Sequence, residues 1–432
     1  MDYSQALDWI HSRERFGIRP GLERMNYILA KLGNPHRKLK VIHIGGTNGK
    51  GSTAAFAASV LEEAGFKTGL YTSPYLESFA NRMAVDGCDV EEEVLVSLVK
   101  KVKPLVEEVA SHTELGPPTE FEVVTILAFL YFSWVKVDYL VLEVGLGGRL
   151  DATNVVSTPL VSVITNVSLE HVEILGDTVE KIAWEKAGII KEGIPVVTAS
   201  QNEGVLQVVG EVAAKKNAPL YRMDRDFAYT SGKSSLKGQF FSYRGFGKQY
   251  TNLFTPLLGE HQTANASTAL AALELAGIPI AEQEIREGLA KVFWPGRLEI
   301  LRDNPLVVID AAHNLEGIKF LCKALSVFPQ GDTVVVLGIL GDKSVKEILQ
   351  EIVPVASRLI ITKAIHPTRA ADPQEVALRA RRMTDGPVHA VADLSEAIRE
   401  GARHASKGKL IITGSFYTIS EARRLILQEK VI

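Results

Sequence analysis

The residues with the clearest chemical potential form a glycine-rich turn, HIGGTNGKGST, at positions 43–53. An apolar run precedes it and an alanine-rich run follows, which predicts a turn from a strand into a helix. Glycines there let backbone N–H groups face a phosphate, the helix N-terminus adds its positive end, and Lys50 can reach the outer phosphates. The strict P-loop pattern is not met, because Ile44 stands at its first glycine and Gly51 follows the lysine. A plain strand-to-helix turn is the alternative, and the ending GKGST before a helix favours nucleotide binding.

One carboxylate, Glu143, has a type and position that could bind a divalent cation. Glu143 lies near the end of an apolar run over 139–144, which predicts a buried strand whose carboxyl end belongs to the ligand-binding edge of an open α/β sheet. A carboxylate there can hold a hard cation, and burying it without a partner would be costly. Two other polar residues carry no such signal by themselves: Ser73 is better explained as a turn hydroxyl before Pro74, and His171 as an ordinary loop histidine.

One lysine, Lys186, continues the apolar face of a predicted helix over 178–187. Asp177 and Glu180 resemble a capping box for this helix, and positions 179, 182, 183 and 186 follow the spacing i, i+3, i+4 and i+7. An ordinary interpretation is a last-turn lysine that complements the helix dipole before a C-cap at Gly188, with its stem extending toward solvent.

Apolar strands that alternate with helices position these residues, which predicts an α/β protein with parallel sheets covered on both faces. Glycine-punctuated polar and aromatic stretches over 227–254 predict antiparallel hairpins appended to a first domain. The motif Trp-Pro-Gly at 294–296 then interrupts the pattern before a second, Rossmann-like α/β series. We therefore predict a P-loop-type domain over 1–296 and a second domain over 297–432. The strands are predicted at 41–45, 68–72, 139–144, 161–165, 195–199, 306–310, 333–337, 358–362 and 410–413.

Length and composition exclude several classes of protein. The chain has 432 residues, a formal charge of −3, 46% hydrophobic residues and two cysteines. This composition disfavours disorder and a disulfide framework, and we expect a reducing, cytoplasmic location. The most apolar stretch, over 123–135, is too short to span a bilayer and the N-terminus lacks an export signal, so we expect no membrane association. The balanced charge gives no reason to expect nucleic acid.

Motifs along nearly the whole chain resemble those of the Mur-ligase superfamily, and within it the folylpolyglutamate synthases and dihydrofolate synthases. The phosphate loop is the strongest of these motifs, and the family's order is kept throughout. The others are GLER (21–24), TSPYL (72–76), TEFE (119–122), EVGLGGRLDATN (143–154), EH (170–171), EKAG (185–188), HQ and NA (261–266), PGRLE (295–299) and DAAHN (310–314).

The resemblance implies roles for individual residues. For ATP binding it implies Asn48, Gly49, Lys50, Gly51 and Ser52 from the loop, with Asn265, Arg297 and Asp310. For the metal it implies Ser73, Glu143 and His171. For the folate or pterin it implies Thr119, Glu120, Phe121 and Glu122, with Leu150, Asp151 and Ala152. For catalysis it implies Lys50, His313 and Lys186, the last as a carbamylated lysine whose new carboxylate helps to hold a second metal. Burial would support this, because a desolvated lysine has a lowered pKa and its neutral amine can react with carbon dioxide.

The implied reaction is ATP-dependent amide formation, in which a folate carboxylate forms an acyl phosphate and the amine of L-glutamate displaces phosphate. Mg²⁺ is the implied cofactor, ATP a co-substrate, and a monovalent cation a further candidate; the partners are L-glutamate and a folate or dihydropteroate, and we expect a monomer. The residues leave open whether the acceptor is a folate, dihydropteroate or both, and what Gly341-Asp342-Lys343 does. Two alternatives are a UDP-muramyl amino-acid ligase, disfavoured by the TEFE and DATN segments, and a P-loop ATPase or switch without ligase activity.

Overall fold

The computed structural model describes residues 1–111, 114–366, 368–405 and 408–432, which fold around two mainly parallel sheets. The first has eight strands in the order β4-β3-β2-β5-β1-β6-β7-β8, parallel from β2 to β8 with an antiparallel extension of β3 and β4. Its strands are Val41–Gly45 (β1), Thr68–Tyr71 (β2), Met83–Val85 (β3), Cys88–Asp89 (β4), Tyr139–Glu143 (β5), Val161–Ile164 (β6), Val196–Thr198 (β7) and Leu220–Arg222 (β8).

Helices cover both faces of this sheet because its central strands are buried throughout and side chains alternate between the faces. Val41 and Leu140 pack into one core with the N-terminal helices, whereas Ile42 and Val141 pack into another with the helix after the glycine-rich turn. The helices of the first part of the chain are Tyr3–His11 (α1), Glu23–Lys31 (α2), Lys50–Glu63 (α3), Glu92–Ser111 (α4), Glu120–Val135 (α5), Val172–Leu175 (α6), Val179–Ala187 (α7), Glu203–Lys215 (α8), Glu260–Leu275 (α9) and Glu282–Lys291 (α10).

A small antiparallel sheet packs against the first domain's second core, as the hairpin prediction required. Its strands are Ala228–Ser235 (β9), Gly238–Arg244 (β10) and Gln249–Thr255 (β11). Phe241, Tyr243 and Leu253 point into the core that also holds Phe56 of α3 and Leu270 of α9.

The second main sheet has six strands in the order β12-β13-β17-β14-β15-β16, and only the edge strand β12 is antiparallel to its neighbour. Its strands are Glu299–Asp303 (β12), Leu306–Ile309 (β13), Thr333–Ile339 (β14), Arg358–Lys363 (β15), Val388–Ala390 (β16) and Lys409–Thr413 (β17). Its helices are Leu315–Ala324 (α11), Val345–Ile352 (α12), Pro373–Arg381 (α13), Leu394–His404 (α14) and Phe416–Leu427 (α15). The segment 292–298 joins the two sheets, and our domain boundary after residue 296 stays a prediction within it.

The sequence-based prediction of a mainly parallel α/β protein is confirmed, with one local correction. Asp177 is not the N-cap of α7; Thr178 is, and its side chain accepts a hydrogen bond from the backbone N–H of Lys181 at 3.3 Å. Asp177 lies one residue outside and pairs with the Lys181 ammonium at 2.7 Å instead. Among the described residues no helix has the length and apolar composition that a bilayer crossing requires.

Candidate functional site

The candidate site lies where the carboxyl ends of strands from both main sheets face each other. In the first sheet Ile44 pairs with Glu143 and Gly45 with Ile164, so the loops that follow β1, β5 and β6 leave one edge together. In the second sheet Ile309 pairs with Ile412, which brings the loops after β13 and β17 to its equivalent edge. Parallel sheets bind ligands at this edge, and here two such edges contact each other across the boundary.

Backbone geometry explains the glycines of the turn between β1 and α3, the phosphate loop (residues 46–51). Gly46 has φ +143° and Gly49 has φ +86°, and a Cβ on Gly49 would collide with the amide of Asn265. A Cβ on Gly51 would lie 2.9 Å from the ring of Trp294. The loop can therefore approach α9 and the interdomain segment closely, as a phosphate-binding backbone must.

The lysine at the start of α3 lies beside the carboxylate at the end of β5. The Lys50 ammonium donates to the carbonyl of Thr47 at 3.1 Å and lies 4.0 Å from Oε1 of Glu143. The other oxygen of Glu143 accepts the backbone N–H of Ser73 at 3.1 Å. Burial raises the pKa of Glu143, and Lys50 and the Ser73 N–H act in the opposite direction.

Two of the three predicted metal ligands are thus neighbours, and the third lies beside a different carboxylate. Within the described residues the Glu143 Oε1 atom accepts no hydrogen bond, so a buried carboxylate oxygen next to the Ser73 loop is available for a hard cation. His171 lies 3.9 Å from Glu170, and the described part of the chain contains no cluster of three His, Cys, Asp or Glu side chains arranged for a metal. Glu143 and Ser73 fit Mg²⁺ chemically, with water to complete the shell.

Glu170, a carboxylate without a predicted role, lies close to basic side chains of both domains. Its Oε1 atom is 3.1 Å from His313 Nε2 and 3.7 Å from the Lys343 ammonium. Burial opposes ionisation of Glu170, but the hydrogen bond and charge of His313, with Lys50 and His171, lower its pKa well below the usual range. Desolvation, with Lys343 and Lys186 nearby, lowers the pKa of His171 to about 4, so its imidazole is neutral at pH 7.

Lys186 lies in the last turn of α7 before the C-cap Gly188, as predicted, but its side chain is buried, so the expectation that its stem extends toward solvent is wrong. Its side chain continues the apolar face of α7, only 4% of the residue is exposed, and its ammonium donates to the carbonyl of Gly46 at 2.6 Å. Burial and the charge of Lys50 lower the pKa of Lys186 to about 7, while Glu170 and Asp151 act in the opposite direction. A large fraction of this amine is therefore neutral at physiological pH.

Arg297 and Asp310 are residues of the second domain that lie at the same candidate site. The two oxygens of Asp310 accept the backbone N–H groups of Leu298 and Ala312, each at 2.9 Å, which fixes the loops that flank β12 and β13. Burial lowers the pKa of Arg297, opposed by the charges of Asp310 and Glu143. Its guanidinium stacks 4.8 Å above the ring of Phe416. The arginine is thus packed against Phe416, and its charge is favoured by one carboxylate from each domain.

The TEFE segment contains two buried side chains with structural contacts and two that are only partly buried. Thr119 and Glu122 form a capping box at the start of α5, and both oxygens of Glu122 also accept from Arg24 Nε at 2.9 and 3.1 Å. Glu122 is therefore committed to the fold. Phe121 packs on Gly145, where a Cβ would enter its ring, and Glu120 lies 3.4 Å from His11 on the more open side.

The Leu150–Ala152 element is shaped by the aspartate at its centre. Asp151 caps the short turn that follows, accepting from the backbone N–H groups of Thr153 and Leu146, each at 2.9 Å, and from the Thr153 hydroxyl at 2.5 Å. Thr153 in turn lies 2.9 Å from Nε2 of buried His43. Leu150 is half-buried and Ala152 is 5% exposed, so the described contacts give this element a defined shape.

A cleft of about 480 Å³ opens beside these groups. The TSPYL loop, α3 and the interdomain segment line it, and its polar side chains include Ser73, Glu143 and Arg297, with Trp294 and Phe416 as aromatic walls. Donors, acceptors and flat apolar surfaces therefore converge in one concave site, which is the usual composition of a small-molecule site.

Four residues lie around this site without a predicted role: Arg24, Glu170 and Lys343, which belong to the GLER, EH and Gly341-Asp342-Lys343 segments, and Asn166, which belongs to none of the motifs. A charge within the apolar stripe of α2 could have indicated a buried partner for Arg24. The contacts of the other three join segments that lie more than 100 residues apart, and no local pattern reports such pairs.

Comparison with known proteins gives matches along the whole chain. Residues 44–273 match the Mur ligase middle domain, and residues 296–416 match the glutamate ligase domain of Mur ligases. The dihydrofolate synthase/folylpolyglutamate synthase of Bacillus subtilis is 38% identical over 433 residues, with 98% of each chain covered. The folylpolyglutamate synthase of Mycobacterium tuberculosis complexed with ADP and AMPPCP superposes with a TM-score of 0.93 at 35% identity, covering 98% of this chain and 99% of that one. Escherichia coli FolC in complex with DHPP and ADP gives 0.90 at 28% identity, covering 100% and 99%.

Proposed function

The chain belongs to the folylpolyglutamate synthase and dihydrofolate synthase family of Mur ligases, and on that premise we propose that it uses ATP to join L-glutamate to a folate. The observation that carries the proposal is the grouping of Lys50, Glu143 and Arg297: Glu143 and Arg297 line one cleft, and the Lys50 ammonium lies 4.0 Å from Glu143. The phosphate loop supplies the first, the end of β5 the second and the start of the second domain the third.

The chemistry begins with repulsion between two anions, the carboxylate of the folate and the triphosphate of ATP. We assign Lys50 and Arg297 to offset this repulsion, so that the carboxylate oxygen can attack the γ-phosphorus in line. ADP then leaves and an acyl phosphate remains. The amine of L-glutamate attacks the acyl carbon, the amide forms and inorganic phosphate is released. Loop residues Asn48, Gly49, Gly51 and Ser52, with Asn265 and Asp310 opposite, are assigned to hold the nucleotide.

Mg²⁺ would be held by Glu143 and Ser73, with His171 as the third predicted ligand. When bound, the ion neutralises phosphate charge and orients the β- and γ-phosphates. The Glu143 carboxylate is suited to this because its raised pKa reflects a desolvated oxygen that gains from a cation. His313, which bonds to Glu170 across the domain boundary, is assigned to order this side of the site rather than to react covalently.

Lys186 is proposed as the carbamylation site. Its neutral amine would attack carbon dioxide to give a carbamate and a released proton, converting a cation into an anion beside Lys50. Burial of Lys186 and its pKa of about 7 support this step, because only the unprotonated amine is nucleophilic. Intact-protein mass in bicarbonate buffer tests it: the added mass of carbon dioxide on Lys186 supports the proposal, and an unmodified amine counts against it.

The folate pocket is proposed to lie between Phe121 and the Leu150–Ala152 element. Phe121 offers a flat ring beside Gly145, and Glu120 offers a carboxylate suited to amino donors. Asp151 would act through the shape of its loop, since its described contacts are all within that loop.

One assay separates the candidate functions. ADP release is measured with Mg-ATP and L-glutamate while the acceptor is tetrahydrofolate, dihydropteroate or a UDP-muramyl substrate. Release that requires both glutamate and a pteridine acceptor supports the proposal, and the ratio between the two acceptors determines which synthase activities the enzyme has. Release with the UDP-muramyl substrate alone, or hydrolysis indifferent to glutamate, would support the ligase and ATPase alternatives and contradict ours.

A further inference from the structure

Two asparagines, Asn48 within the phosphate loop and Asn166 outside it, have side chains that lie against helix α11 of the second domain. Asn166, after β6, accepts the backbone N–H of Thr47 on its carbonyl at 2.7 Å and that of Asn48 on its side-chain oxygen at 2.7 Å. Asn166 therefore hydrogen-bonds to two successive residues of the loop. Its amide nitrogen must then face the opposite direction, because the oxygen is already used.

Glu316 is the acceptor that meets this amide nitrogen. It lies in the first turn of α11, and its Oε2 atom accepts from Asn166 Nδ2 at 2.7 Å and from Asn48 Nδ2 at 3.0 Å. One carboxylate oxygen of the second domain thus fixes the orientation of both amides of the first. Asn314, the N-cap of α11, adds a hydrogen bond from its Nδ2 to Asn48 Oδ1 at 3.0 Å.

We propose that Glu316 is a positioning residue for phosphoryl transfer, which links the orientation of the phosphate loop to the seating of the second domain. On the function proposed above, the loop is fully ordered for phosphoryl transfer only when α11 contacts Asn48 and Asn166. Because the acceptor is an anion and both donors are neutral amides, these hydrogen bonds belong to the stronger, charge-assisted kind. Glu316 is not among the residues assigned to the nucleotide, the metal or the acceptor, so its proposed effect passes through its contacts with the two asparagines.

Three variants test this role. Glu316→Ala removes the acceptor, and we expect kcat/KM for ATP to fall roughly 10- to 100-fold, since a lost hydrogen bond to a charged group has about this effect. Glu316→Gln keeps an oxygen that can accept, and we expect it to stay within about fivefold of wild type. Glu347→Ala is the matched control: Glu347 is an exposed first-turn glutamate of the next helix, so it reproduces any helix-dipole effect without touching the loop.

A double-mutant cycle keeps the test decisive if single variants lose stability. On an Asn166→Ala background, Glu316→Ala should cost several-fold less than it does in the wild type, because one of its partners is gone. Thermal midpoints are recorded for every variant, and ATP-analogue affinity is compared with kcat. Strictly additive losses, wild-type activity in Glu316→Ala, or equal losses in the Ala and Gln variants overturn the inference. An inactive wild type would instead contradict the proposed function.

Discussion

Replacing the buried lysine of α7 by methionine should stabilise the protein while it removes activity. Burial lowers the pKa of Lys186 from 10.5 to about 7. At about 1.4 kcal/mol per pH unit, this shift sets an upper limit of roughly 5 kcal/mol on the cost of keeping the lysine charged in the fold. Its hydrogen bond to the Gly46 carbonyl offsets about 1.5–3 kcal/mol of that. We therefore expect Lys186→Met to raise the free energy of unfolding by about 2 kcal/mol near pH 7.

The lowered pKa of Lys186 also predicts how the stability difference between the two proteins changes with pH. Between pH 7 and 10.5 the unfolded chain holds the lysine proton more tightly than the folded protein does. The wild type therefore gains stability from this group as pH rises through that window, and the advantage of Lys186→Met should shrink toward pH 9.

Urea unfolding of both proteins in carbon-dioxide-depleted buffer, from pH 6.5 to 9, measures this advantage at each pH. Lys181→Met, which changes an exposed lysine of the same helix, is the control and should change stability by less than about 0.5 kcal/mol. A Lys186→Met protein that is less stable than wild type at every pH, or a difference that does not vary with pH, would refute the reasoning.

The remaining predictions concern turnover, the core and the loop. Lys50→Ala and Glu143→Ala should each reduce folate-dependent ADP release by at least about a hundredfold, because each removes charge stabilisation at the transferred phosphoryl group; near-normal release in either contradicts its role. Arg24→Met should cost about 3 kcal/mol in urea unfolding, because it leaves buried Glu122 without its cation, and adding Glu122→Gln should recover part of that loss. Gly49→Ala should cost more free energy in ATP-analogue binding than in thermal unfolding, since φ +86° costs an alanine about 1–2 kcal/mol within the binding loop. Unchanged affinity would argue against a phosphate contact there.

Elements with a strong local signal were predictable from the sequence. The strand over 41–45 has the predicted bounds, because a continuous apolar run before a glycine-rich turn is a local signal for a buried strand. The N-cap of α7 was misplaced by one residue since Asp177 and Thr178 are both good caps, and only the backbone decides which one the helix uses.

Contacts across the fold were not predictable in the same way. The pairing of Glu170 with Lys343 and the hydrogen bonds of Asn166 to the phosphate loop depend on how two sheets meet, which no periodicity reports. The burial of Lys186 was suggested by its helical spacing but decided by packing, because a lysine stem fits either an apolar face or the solvent.

The order of strands in the first sheet also has a consequence for how the chain folds. β1 is the first strand in the chain, yet its neighbours in the sheet are β5 and β6. Val41 can therefore pair only after Leu140 has been synthesised, and Ile42 only after Val161. Roughly the first 165 residues must leave the ribosome before the phosphate loop has both of its walls. Pairings at such long sequence separation are slow to form. The predicted nucleotide-binding loop therefore gains its second wall only after β6 has been synthesised, although the loop itself lies at residues 46–51. A nascent chain shorter than β6 should not retain ATP.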